Sequence, residues 1–97
     1  MSKVYMQDES PNDKTLLEFP CEFPIKMMGR DTPEFHSVVR SLVEAYTGPL
    51  ADESITAARS RKGQFVSITI VVPVTSKQQL DDIYRAITAC DDVLMAL

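Results

Sequence analysis

The residues able to do chemistry are few and scattered. His36 is the one histidine, and a general base needs a nucleophile or acid partner held within hydrogen-bond reach. No Ser or Cys stands at a spacing that would supply one, so His36 reads as a surface residue. Asp81 with Asp82 and Asp91 with Asp92 are paired carboxylates, but hard cations need several convergent oxygens, which adjacent residues rarely provide. They read instead as a solvated helix face and a strand entry. Cys21 and Cys90 stand far apart without CxxC spacing, so two reduced thiols are expected rather than a zinc site or a disulfide framework. Gly29 and Arg30 mimic a fragment of the phosphate-cradling loop used in acylphosphatase-type catalysis. That chemistry also requires a positioned asparagine, and the sole asparagine, Asn12, lies in a polar leader. No catalytic residue, cofactor or metal is expected, and the chain reads as non-enzymatic.

Composition narrows the classes further. Ninety-seven residues make one domain with a real core. A formal net charge of −4 argues against a dedicated phosphate-backbone binder, which needs a basic footprint. The start, MSKVYMQDESPNDK, has no apolar signal core, and no apolar run approaches a membrane span. A cytoplasmic protein is expected. Residues 1–14 read as a flexible polar tail and 15–97 as the folded domain.

The elements that must position any site follow from periodicity. In FPIKMMG, Phe23, Ile25 and Met27 share one face while Lys26 and Met28 take the other, and Gly29 ends the strand. DTPEFHSVVRSLVEAYTG is a helix with Thr32 as N-cap, Pro33 at its first position and Gly48–Pro49 as its stop. Its buried stripe is Phe35, Val38, Val39, Leu42, Val43 and Tyr46. A weaker strand with Ile55 and Ala57 inward leads through the turn RSRKGQ into FVSITIVVPV, where Val66, Ile68, Ile70 and Val72 alternate with Ser67, Thr69 and Val71. A second helix carries Ser76 and Gln79 in capping-box spacing and buries Leu80, Ile83, Tyr84, Ile87 and Cys90. The closing DDVLMAL reads as a strand with Val93, Met95 and Leu97 on one side, which leaves Leu94 and Ala96 on the other.

The order strand, helix, strand, strand, helix, strand is the α+β, ferredoxin-like βαββαβ sandwich. Right-handed crossovers put both helices on one face of a four-stranded antiparallel sheet of order 4-1-3-2. Pro24 and Pro73 should then fall at the end where the central pair runs out.

The stretches LLEFPCEFPIKMMG, SRKGQFVSITI and the terminal VLMAL are specific. From about Thr15 to Leu97 the chain resembles the YbeD-like family of small bacterial proteins, which has no established biochemical function. The resemblance implies a domain similar to the ACT regulatory domains that sense amino acids, and implies no catalytic residues. In ACT domains the loop after the first strand reads roughly Asp-x-Pro-Gly; here it reads Asp31, Thr32, Pro33, Glu34, so a bulky carboxylate replaces the glycine.

Three surfaces follow as candidates. Lys26, Met28, Ser67, Thr69, Val71 and Leu94 would form an interaction surface on the uncovered sheet face. Arg59, Arg61 and Lys62 form a basic hairpin tip suited to an acidic partner. Gly29, Arg30, Asp31 and Thr32 form a possible ligand loop at the helix start. The functional expectation is a small regulatory or interaction module that binds a protein partner or a small metabolite, with a homodimer possible. The alternative is an RNA-binding module on the same fold, although Phe65 is the only aromatic where bases would stack.

Overall fold

The computed structural model describes residues 18–97; the expected tail over 1–14 and a turn expected at Leu16 and Leu17 lie outside the described residues. The strands are β1 (Cys21–Arg30), β2 (Ile55–Arg59), β3 (Phe65–Val74) and β4 (Met95–Ala96), and the helices are α1 (Pro33–Thr47) and α2 (Lys77–Thr88). All neighbouring strands are antiparallel, in the order β2-β3-β1-β4. That is the expected topology of the ferredoxin-like fold.

Alternation sets the layers. Val66, Ile68, Ile70, Val72 and Val74 of β3 and Ile25 and Met27 of β1 are all buried, whereas the residues between them, Gly29's neighbours included, are not. Phe35, Val39 and Val43 of α1 and Leu80, Ile83 and Ile87 of α2 close over the same face. Each such side chain contributes about 2 kcal/mol on burial. A one-residue slip of β3 would turn its five core residues to water and cost on the order of 10 kcal/mol, comparable to the whole stability of a small domain. The register is fixed by that penalty.

Caps hold the two helices at opposite ends of the sheet. The Thr32 hydroxyl accepts from the Phe35 N–H at 3.1 Å, and the Ser76 hydroxyl accepts from the Gln79 N–H at 3.1 Å. The Gln79 side chain reaches back one residue further than a standard capping box, accepting from the Thr75 N–H at 2.7 Å. Beyond α1 the chain is pinned by a clamp: Leu50 donates its N–H to Glu44 at 2.9 Å and accepts at its carbonyl from Arg40 at 2.8 Å. Arg40 in turn sits 3.1 Å from Glu44 and 3.0 Å from Asp52. The Leu50 amide and then the Arg40 guanidinium hold the Glu44 carboxyl below the usual carboxylate range.

Three local expectations change. The β1–β3 ladder does not stop at its prolines but continues to Cys21 opposite Val74. Lys26 exchanges backbone hydrogen bonds with Leu97 on the β4 side; by alternation the missing donor of Pro24 points to that side too, beyond where β4 ends. Pro73 likewise points toward β2, which pairs no further than Ile55 with Ile70. Ala57 is exposed, because β2 is an edge strand that no helix reaches, and Tyr46, at the end of the α1 stripe, is 42% exposed.

Candidate interaction surface

The face opposite the helices is built in rows by strand register. Ala58, Ser67, Met28 and Met95 make one row across all four strands. The next row is Thr56, Thr69, Lys26 and, through its backbone bonds to Lys26, Leu97. Val71 opposite Pro24 follows on one side, and Phe65 opposite Arg30 on the other. The β2–β3 half is therefore flat and lightly polar, while the β1–β4 half carries a methionine- and leucine-rich strip. Met95 is 52% and Leu97 64% exposed, and Val71 is 36% exposed. The Arg30 guanidinium lies over the Phe65 ring, 5.6 Å from its centroid, a distance at which the cation is attracted to the ring.

Five of the six residues expected on this surface, Lys26, Met28, Ser67, Thr69 and Val71, share the face. Leu94 does not, and this corrects the phase assigned to the closing strand. Met27 pairs with Ala96 and Met28 with Met95, so Met95 and Leu97 point to the open side and Ala96 to the core. The cause is a slip in the ladder: Leu94, rather than Met95, donates its N–H to the Met28 carbonyl, at 2.8 Å. Leu94 lines a cleft at the start of α1 instead.

That cleft, of about 250 Å³, is also lined by Arg30, Thr32, Glu34, Phe35, Asp91 and Asp92. It brings three carboxylates to one guanidinium, an unfavourable setting for an anionic ligand. The loop residues Gly29, Asp31 and Thr32 all have structural duties. A Cβ at Gly29 would lie 2.5 Å from the Phe35 ring and 2.7 Å from the Asp92 carbonyl oxygen. The Thr32 hydroxyl is spent on the helix cap. Asp31 sits between two nitrogen donors, with Oδ1 2.9 Å from His36 Nε2 and Oδ2 2.7 Å from Arg59 Nε. The His36 hydrogen bond, helped by Arg59, holds the Asp31 carboxyl below the usual carboxylate range despite its partial burial.

The Asp31–His36–Arg59 chain was not apparent from spacing, because Asp31 and His36 are five residues apart across the helix start, outside the three- and four-residue spacings that mark neighbours on a helix. The available signal was an aspartate directly before the N-cap threonine. Arg59, expected at the hairpin tip, is thereby drawn toward the helix side. Arg61 and Lys62 remain exposed at the tip. The turn beneath them is ordered: Gly63, at φ 74°, donates to the Ser60 carbonyl at 3.0 Å, and the Ser60 hydroxyl accepts from the Phe65 N–H at 3.2 Å. Among the described residues no three His, Cys, Asp or Glu side chains gather as metal ligands, and no helix is long and apolar enough to cross a membrane.

Comparison with known proteins places the chain. The family model described as "Protein of unknown function (DUF493)" matches residues 14–97. A UPF0250 protein of Neisseria gonorrhoeae is 39% identical over 89 residues, covering 92% of this chain and 98% of the relative. A UPF0250 protein of Chromobacterium violaceum is 38% identical over 92 residues, covering 95% and 100%, and one of Paraburkholderia phytofirmans is 40% identical over 76 residues, covering 78% and 85%. The solution structure of protein HP0495 from H. pylori superposes with a TM-score of 0.68 at 22% identity, covering 94% of this chain and 98% of that one; the likeness is one of fold. The chain belongs to the DUF493 family, as the resemblance carried by its strand and hairpin motifs implied.

Proposed function

We propose that this member of the DUF493 family is a non-enzymatic interaction module of regulatory type, and that it works by docking a protein partner on its open sheet face. The observation that carries the reading is the group of exposed side chains Met95, Leu97 and Val71, with the half-buried Met28 between them, on a face that the chain's own helices leave uncovered. Apolar side chains grouped on one face, with polar ones around them, mark association surfaces. A small metabolite is the less favoured occupant, because the cleft at the α1 start is lined by Glu34, Asp91 and Asp92 and Gly29 is already covered by Phe35.

The test is capture from a lysate of the source bacterium by tagged full-length chain, compared with Val71→Asp and Met95→Asp variants and with Lys77→Glu on α2 as a control away from the face. Proteins retained by the native chain and the control but lost from both open-face variants support the reading. Partners retained equally by all four remove the sheet face from consideration. Binding of single-stranded RNA that weakens steeply with salt would move the reading to the RNA-binding alternative.

A further inference from the structure

We infer that the partner presents an acidic amphipathic helix to the open face; this rests on the docking reading above and adds the chemistry of the occupant. The ground is how the charges are divided. On the helix side each basic side chain already has a carboxylate: Arg40 with Glu44 and Asp52, Arg59 with Asp31, Lys77 with Asp81 and Arg85 with Asp82, at 2.7 to 3.4 Å. Among the described residues the basic side chains without an ion pair are Lys26, Arg30, Arg61 and Lys62, of which Arg30 also borders the cleft lined by Glu34, Asp91 and Asp92. All four lie on the open face or on the hairpin tip that adjoins it. Within the strands the one carboxylate on that face is Glu22, at the far end opposite Pro73. In a chain of net charge −4 the unpaired cations of the described residues thus lie together, interleaved with the apolar strip.

Geometry selects among acidic occupants. Away from the β2 and β4 edges the sheet's backbone groups are engaged within the sheet, and Met28, Met95, Leu97 and Val71 offer no hydrogen-bonding atom to a backbone, so an extended segment laid flat across the face would leave its own N–H and C=O groups unmet. A helix meets its own. Successive rows of the face are about 6.6 Å apart along a strand, close to the roughly 6 Å rise between residues i and i+4 of a helix. Apolar side chains at that spacing would sit on the Met28–Met95 and Leu97 rows, with acidic ones beside Lys26 and, about two turns on, Arg30. A base-stacking occupant would find one aromatic ring, Phe65, already under Arg30. A second copy docked face to face would bring the same cations, with Glu22 as the one strand carboxylate on that face to meet them.

The test selects a displayed library of helical peptides, randomised on one face, against the full-length chain. Enriched sequences are expected to be net negative, with apolar residues at i, i+3 or i+4 and i+7. They should lose about tenfold or more in affinity for Lys26→Glu/Arg30→Glu, and selection on that variant should favour basic sequences. If the double variant misfolds by circular dichroism, Lys26→Glu/Lys62→Glu takes its place. Neutral or basic winners, winners indifferent to the charge reversals, or no enrichment at all overturn the inference. So does a dimer seen by sedimentation that Val71→Asp dissolves, which would make a second copy the occupant. Should lysate capture still depend on the open face in any of these cases, the docking reading survives while the acidic helix does not.

Discussion

Replacing Gly29 with alanine adds one methyl group where the end of β1 meets the Phe35 ring of α1 and the backbone at Asp92. The new Cβ would meet two carbons of the Phe35 ring at 2.5 and 2.6 Å and the Asp92 carbonyl oxygen at 2.7 Å, so the ring has to retreat by about 1 Å to restore ordinary contact. Phe35 is 2% exposed and packed within the core, and the Asp92 contact is backbone, so neither neighbour yields cheaply. Overpacking of this kind costs about 1–3 kcal/mol. The alanine recovers about 0.4–1 kcal/mol by restricting the unfolded chain, which leaves a net loss on the order of 1–2 kcal/mol. For a domain of this size that is a fall in Tm of about 5–15 °C, readable by thermal circular dichroism and by urea unfolding with an unchanged slope. The contact also predicts coupling: Phe35→Leu should cost less in the Gly29→Ala background than in the native one, by at least about 0.5 kcal/mol. An alanine variant within about 0.5 kcal/mol of the native chain, uncoupled from Phe35, would refute the packing argument and return Gly29 to the loop's candidate ligand contacts.

Thr32→Ala and Ser76→Ala should each cost about 1 kcal/mol in urea unfolding. The two losses should add, since the caps stand at opposite ends of the β1–β3 pair. Asp31, whose carboxyl is held below its ordinary range, contributes stability that is present above the unfolded-state carboxylate pKa and is lost as pH falls through the lower folded-state value. Asp31→Asn should therefore flatten the acid limb of a plot of urea midpoint against pH, and an unchanged limb would show that the His36 and Arg59 contacts do no such work. Ile83→Ala, which truncates a fully buried α2 side chain, should cost about 2–5 kcal/mol, whereas Val71→Asp should leave the urea midpoint nearly unchanged.

The parts of this fold that could be read from the chain are those where several local signals agree. Thr32, Pro33, Gly48 and Pro49 bracket α1 with a cap, a start and a stop, and the structure ends the helix within a residue of them. β3 alternates over ten residues, so one ambiguous position cannot change its phase. β4 has two residues, and there the period-two argument rests on too little: a single displaced hydrogen bond at Leu94 exchanged its two faces. Tyr46 and Ala57 follow their periodic patterns, yet neither is covered, because periodicity fixes direction and says nothing of whether a neighbour extends that far. The Asp31 contacts escaped for a different reason. They join a residue before the helix, one within its second turn and one on β2, and no spacing rule encodes such a meeting.

Charge shows the same limit at the level of the surface. A net of −4 speaks against a phosphate-binding chain only if charge is evenly spread, and here it is not. The carboxylates of α1, α2 and the loops beside them draw Arg40, Arg59, Lys77 and Arg85 into pairs, which leaves the helix side acidic but internally compensated. Lys26 is held away from those carboxylates by strand parity: it is even-numbered on a strand whose odd-numbered residues, Ile25 and Met27, must face the core, and Arg30, of the same parity, lies over the Phe65 ring while bordering the cleft of Glu34, Asp91 and Asp92. The hydrophobic demand that fixes the register therefore also fixes which face is basic. Shifting Lys26 by one position in either direction would bury it, so the polarity of the open face is tied to the packing of the opposite one, and a docking partner would read a charge pattern that the core itself enforces.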